Sequence, residues 1–211
     1  CVRLCPSGAM FFYGEEKTVE QVFDEVSRDA GYYEQSGGGV TVSGGECMTQ
    51  PQFVSDLFRR CKEAGFHTAL DTCGYFDEQA LYSVWDYVDL VLFDLKLMDS
   101  QRHRQYTGVD NVIIQDNLKR MLAKGMNVVI RVPVIPGIND REGDLEAIAD
   151  FVFKLDSSLH VDLLPYHRYG LGKYRILDME YQLNDINPPD DAAKLAYEQI
   201  FRAYGLSCTV H

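Results

Sequence analysis

The chain has 211 residues, 46% of them apolar and 25% charged, the composition of an ordinary globular protein long enough to bury a sizeable core in one domain. With 32 acids against 20 Lys and Arg the formal charge is −12 and no basic cluster offsets it, so a phosphate backbone would be repelled and no nucleic acid partner is expected. No apolar run reaches the ~18 residues of a membrane span and the N-terminus lacks signal-peptide zones, so the expectation is no membrane partner and a cytoplasmic location.

The chain starts at Cys1 rather than Met, and its native start is expected upstream. Cys1-x3-Cys5-Pro6 matches the closing half of the C-x2-C-x2-C-x3-C-P run that wraps ferredoxin-type iron-sulfur clusters, which makes Cys1 and Cys5 candidate metal ligands. Cys47, Cys61, Cys73 and Cys208 show no CxxC spacing and read as small apolar residues.

After a helical pattern over "TVEQVFDEVSRDAGYYEQ", five β-rich segments recur at Gly39 to Ser43, His67 to Asp71, Val88 to Leu95, Asn127 to Ile135 and His160 to Pro165, separated by helical patterns. Such alternation predicts an α/β fold with a parallel sheet or barrel. Thr49 to Gln52 fits a capping box for "FVSDLFRRCKEAG", and Asn139 with Glu142 fits one for "EGDLEAIADFVFKL". The last helix is predicted in "PDDAAKLAYEQIFRAYG", and residues 14 to 211 show no linker.

Parallel strands that feed helices place functional groups at their C-terminal ends. Those ends read Gly44-Gly45-Glu46, Asp71-Thr72, Asp94-Leu95-Lys96, Arg131 and Tyr166-His167. The glycine pair is either a tight turn or a bare backbone nest for a ligand carboxylate, and Glu46 beside it suits a ligand ammonium. Asp71 and Thr72 read as a turn pair or as site residues, and Asp94 with Lys96 as an ion pair or as site residues. Arg131 sits in the apolar "VVIRVPVIPG" and requires an anion, either Asp94 or a ligand carboxylate. His167 is either a satisfied core histidine or a contact to a base.

Together "SGGGVTVSGGE", "LDTCGY", "LFDLKLMD", "YTGVDN", "RVPVIPGIND" and "LLPYHRYGLGKY" resemble the activating enzymes of glycyl radical enzymes, the group that includes pyruvate formate-lyase activating enzyme, within the radical S-adenosylmethionine superfamily. The resemblance implies a partial (β/α)6 TIM-like barrel, here strands 2 to 6 with their helices over residues 14–211, that binds S-adenosylmethionine. It implies that Gly44, Gly45 and Glu46 hold the methionine amino group. Asp71, Thr72 and Asp94 would line the methionine end and hold a monovalent cation, while Lys96, Arg131 and His167 would surround the cofactor, His167 beside the adenosine. Residues 1–13 would be the tail of a ferredoxin-like insert that carries additional four-iron four-sulfur clusters.

In that family a reduced 4Fe-4S cluster, fed by a flavodoxin- or ferredoxin-type donor, cleaves S-adenosylmethionine, and the adenosyl radical takes a hydrogen from a glycine of a partner glycyl radical enzyme. The CxxxCxxC motif that binds this catalytic cluster is absent here, so the chain alone is expected to be inactive in cleavage. Two other readings stay open: a non-catalytic nucleoside- or protein-binding barrel, and a Schiff-base aldolase using Lys96.

Overall fold

The computed structural model describes residues 6–7, 14–141 and 143–211. The strands β1 (Gly39–Val42), β2 (His67–Thr72), β3 (Leu90–Asp94), β4 (Val128–Val134), β5 (His160–Pro165) and β6 (Ser207–Val210) form one parallel sheet in strict chain order. Helices α1 (Val19–Val26) and α2 (Ala30–Ser36) precede β1. The crossovers carry α3 (Pro51–Glu63), α4 (Glu78–Val84), α5 (Ser100–Thr107), α6 (Val112–Ala123), α7 (Asp144–Leu155), α8 (Leu171–Ile176) and α9 (Asp191–Ala203). An unbroken sequential order is that of a sheet curling toward a barrel, since a doubly wound sheet reverses its order at a switch point.

The α/β partial barrel stands as expected, with one correction to the count. The sequence pattern gave five strands, and β6 is a sixth. It spans four residues and buries only Cys208, so it offers too short an apolar alternation to register as a strand. Its signal lies in the context, because Gly205 at φ +82° ends the preceding helical turn just before it.

The two faces of the sheet separate by residue type. Along β4 the residues Val128, Ile130, Val132 and Val134 are at most 5% exposed, whereas Val129, Arg131 and Pro133 between them are half-buried on the opposite face. The apolar face packs under the helices with Phe58, Phe93, Leu118, Ile148 and Phe201 fully buried, each contributing ~1.5–3 kcal/mol. The opposite face carries the charges: register places Asp94 beside Arg131 and Arg131 beside Asp162.

Local signals fix some helix starts and not others. Thr18 caps α1 in a full capping box with Gln21. The box expected at Thr49 is not formed, because Glu46 caps a 3-10 turn over Cys47–Thr49 and α3 begins afterwards with Pro51 in its first turn. Asn139 does not cap α7, which starts at Asp144 after Gly143, and Glu142 lies outside the described residues. The Asn139 amide is instead buried among backbone groups of the site, where leaving it unbonded would cost more than an exposed cap gains.

Candidate functional site

The strand ends converge as the sequence predicts. β1 runs into Gly44, whose φ of +137° excludes side chains, and a Cβ added at Gly44 or Gly45 would meet nothing within 4 Å. The backbone is therefore bare and faces open space. Glu46 follows as the cap of the 3-10 turn rather than as a first-turn helical acid, and it accepts from Met48 N at 3.0 Å. Thr72 Oγ1 donates to the same carboxylate at 2.8 Å, Cys73 N at 2.9 Å and Cys73 Sγ at 3.0 Å. With Cys47 Sγ at 3.8 Å, five donors surround the carboxylate, and the two thiols are the weakest of them.

Asp71 and Asp94 meet on Arg131. Arg131 Nε donates to Asp94 Oδ1 at 2.9 Å, and its terminal nitrogen also bonds Asp71 Oδ1. Burial pushes the Asp94 carboxyl above the ordinary range, with Arg131 and then Lys96 pulling it back. Burial likewise opposes the Arg131 cation, but Asp94 and Asp71 outweigh it and raise its pKa. Lys96 is half-buried and has no ion pair among the described residues.

Three buried asparagines hold the loops that present these groups. Asn117 Nδ2 donates to the carbonyls of Gly74 and Phe76 at 2.9 and 2.8 Å, which fixes the loop after β2. Asn111 Nδ2 donates to Leu97 O and Met98 O at 2.9 and 2.8 Å, and Asn139 Nδ2 to Lys96 O and Pro133 O at 2.8 and 2.6 Å. Lys96 is thereby braced from two sides. Asn111 and Asn117 were not singled out from sequence, although Asn111 lies in a quoted motif, and Asn139 was read there as a helix cap. The available signal was an amide inside an apolar helical pattern, as in "VIIQDNLKRML".

A cavity of about 260 Å³ is lined by Gly45, Glu46, Cys73, Asp94, Lys96 and His103, among others. A second, of about 580 Å³, opens beside it and shares Lys96 and Thr107. Together they reach the size of a small-molecule cleft. The depression beside α3 is lined by Asp56, Arg59 and Glu63, among others, and there Arg59 pairs with both acids.

The remaining predicted residues are placed differently. Thr72 is buried with its hydroxyl on Glu46, rather than beside Asp71. His167 is exposed, not a core histidine; its ring lies 4.4 Å from Tyr169 and its Nδ1 accepts from Tyr169 N at 3.2 Å. It does not line the cavity of Glu46. Cys1 and Cys5 lie outside the described residues. Among the described residues no group of three or more His, Cys, Asp or Glu could hold a metal ion, and burial pushes the thiols of Cys61, Cys73 and Cys208 up to about 11. The described residues therefore do not fit a cluster. They do fit an amino-acid-bearing ligand: a bare glycine backbone, the Glu46 carboxylate, and a Lys96 without an ion pair among the described residues. No described helix is long and apolar enough to cross a membrane.

Residues 3–152 match the family model of the radical SAM superfamily. Over 208 residues, 97% of the chain, the sequence is 39% identical to the choline trimethylamine-lyase activating enzyme of Oleidesulfovibrio alaskensis, of which it covers 67%. Over 188 residues, 88% of the chain, it is 42% identical to the isethionate sulfite-lyase activating enzyme of Nitratidesulfovibrio vulgaris, of which it covers 61%. The chain thus spans about three fifths to two thirds of the length of these relatives. A solved domain of pyruvate-formate lyase-activating enzyme from Bacteroides vulgatus superposes with a TM-score of 0.67 at 31% identity, covering 82% of this chain and 99% of that one. With one family model spanning most of its length and activating enzymes aligned along nearly all of it, the chain belongs to the radical S-adenosylmethionine superfamily, in its group of glycyl radical enzyme activating enzymes.

Proposed function

We propose that this chain forms the S-adenosylmethionine-binding barrel of an enzyme that installs a glycyl radical on a partner enzyme. The observation that carries this is Glu46: a carboxylate held by several hydrogen bonds after the end of β1, next to a glycine backbone that opens onto a cavity. S-adenosylmethionine, when bound, supplies a reactive adenosyl group.

The chain's residues do the positioning. Glu46 takes the ligand's ammonium, which replaces the weak thiol donors while Met48 N, Thr72 and Cys73 N keep the carboxylate in place. Gly44 and Gly45 let the ligand approach the backbone. Lys96 faces the carboxylate, since it is the cavity's cation without an ion pair among the described residues. Arg131 holds Asp71 and Asp94 as a fixed wall, and a monovalent cation bound there would share those carboxylates with it. His167 and Tyr169 offer an exposed aromatic face to the adenine. Cys1 and Cys5 would belong to a ferredoxin-type cluster, and the partners would be a glycine-bearing segment of a glycyl radical enzyme and a flavodoxin- or ferredoxin-type donor. A cytoplasmic setting, where thiols stay reduced, suits this chemistry.

The test is equilibrium binding of S-adenosylmethionine to the complete protein. Losing a charged hydrogen bond costs ~1.5–3 kcal/mol, so Glu46→Gln and Lys96→Met should each weaken binding by about 10- to 150-fold. Unchanged affinity in both would refute the proposal and return the binding-only barrel, which needs neither group.

A further inference from the structure

Helix α5 buries one residue, His103, which is 2% exposed. Its Nδ1 lies 2.7 Å from Val109 O and 3.0 Å from Thr107 Oγ1. A carbonyl only accepts, so Nδ1 carries the hydrogen, and the Thr107 hydroxyl is engaged in donating to His103 O at 2.8 Å. Gly108, left-handed at φ +86°, ends α5 and brings Val109 back to the ring. In the neutral imidazole the lone pair then sits on Nε2.

Nε2 has no partner among the described residues, yet the ring lines the cavity that also holds Glu46, Asp94 and Lys96. It is not one of the fully enclosed unsatisfied atoms, which are Ser27 Oγ, Arg102 Nε and Asp144 Oδ2. A polar ring this deeply buried, with its tautomer fixed from behind and its acceptor open to a cavity, is what a ligand-binding group requires.

We propose that His103 is a further binding residue of this site, with Nε2 accepting a hydrogen bond from a donor group of the occupant. This rests on the reading of the site given under Proposed function. The open nitrogen complements Lys96: the lysine meets the ligand's anionic end, the nitrogen an N–H or O–H. On S-adenosylmethionine the donors of that kind are the α-ammonium and the ribose hydroxyls.

The experiment measures binding to the complete protein of S-adenosylmethionine, of its analogue without the α-amino group and of its 2′-deoxyribose analogue. The parent, His103→Leu, His103→Gln and Glu46→Gln are compared. His103→Leu should weaken S-adenosylmethionine binding about 10-fold. His103→Gln, whose amide oxygen falls near the position of Nε2, should recover most of it. The Leu penalty should vanish with the analogue lacking the relevant donor: the desamino compound if the ammonium is the donor, the deoxy compound if the ribose is. An unchanged affinity in His103→Leu, or a penalty that persists with both analogues, overturns the proposal. Should His103→Leu not fold, the parent decides: its Nε2 nitrogen resonance must shift on adding S-adenosylmethionine, and a static resonance overturns the proposal. If Glu46→Gln is silent as well, the reading of the site fails; if only the His103 variants are silent, this inference fails alone.

Discussion

Replacing Arg131 by Met removes the one cation between Asp71 and Asp94 and keeps the side chain's length. Breaking a fully buried pair costs ~3–5 kcal/mol, because the partner charge is left uncompensated. Arg131 and Asp94 are each 18% exposed and Asp71 24%, so the low end applies and ~3 kcal/mol is expected. For a chain of this length that lowers Tm by about 6–12 °C. The deficit should depend on pH. Asp94 already titrates above its ordinary value through burial. A carboxyl whose folded pKa exceeds its unfolded value, ~3.9, stabilises the fold below that unfolded value and loses the contribution as pH rises through the folded one. Without Arg131 the folded value climbs further, so the gap between parent and variant should widen as pH rises from the ordinary carboxylate value toward and past neutrality. Urea denaturation across that range measures it. Adding Asp94→Asn should destabilise the parent, by stripping Arg131 of a partner, but stabilise Arg131→Met. A gap that stays flat with pH, or Asp94→Asn acting with the same sign in both backgrounds, would refute the reasoning.

Gly74 is held at φ +75°, and a Cβ there would lie 2.4 Å from Cζ of Phe93, which is fully buried. Gly74→Ala should therefore cost ~2–4 kcal/mol from overpacking plus backbone strain, with partial recovery in Phe93→Leu, read as urea midpoints. Burial pushes the thiols of Cys61, Cys73 and Cys208 up to about 11 and that of Cys47 to about 12, so their thiolate fraction at pH 7.5 is negligible. Alkylation mapped at these four residues should run far slower in the native protein than in urea, and rapid native labelling would contradict the burial argument.

The sequence exposed what repeats along it. Strands ending in charge at matching positions pointed to one mouth, and an arginine inside an apolar strand announced the anion beside it, which Asp94 supplies. That Asp71 shares the same guanidinium was not visible, because β2 and β4 are joined only through β3 in the fold. The roles of Asn111, Asn117 and Asn139, the last read as a helix cap, were hidden for a related reason: each bonds carbonyls, which leave no trace in side-chain identity. His103 was passed over because its meaning depends on which ring nitrogen faces the backbone, a matter of geometry alone.

The strict chain order of the sheet bears on how the protein is made. Strands begin at residues 39, 67, 90, 128, 160 and 207, and among the described residues each pairs only with its neighbours in sequence. Every strand from β2 onward thus finds its earlier partner already synthesised, and only the pairing of β6 with β5 waits for residues 207–210. The sheet is suited to assemble progressively as the chain leaves the ribosome, with a single growing edge exposed at a time, which keeps contact order low for a parallel sheet and limits the interval in which an unpaired strand meets another chain.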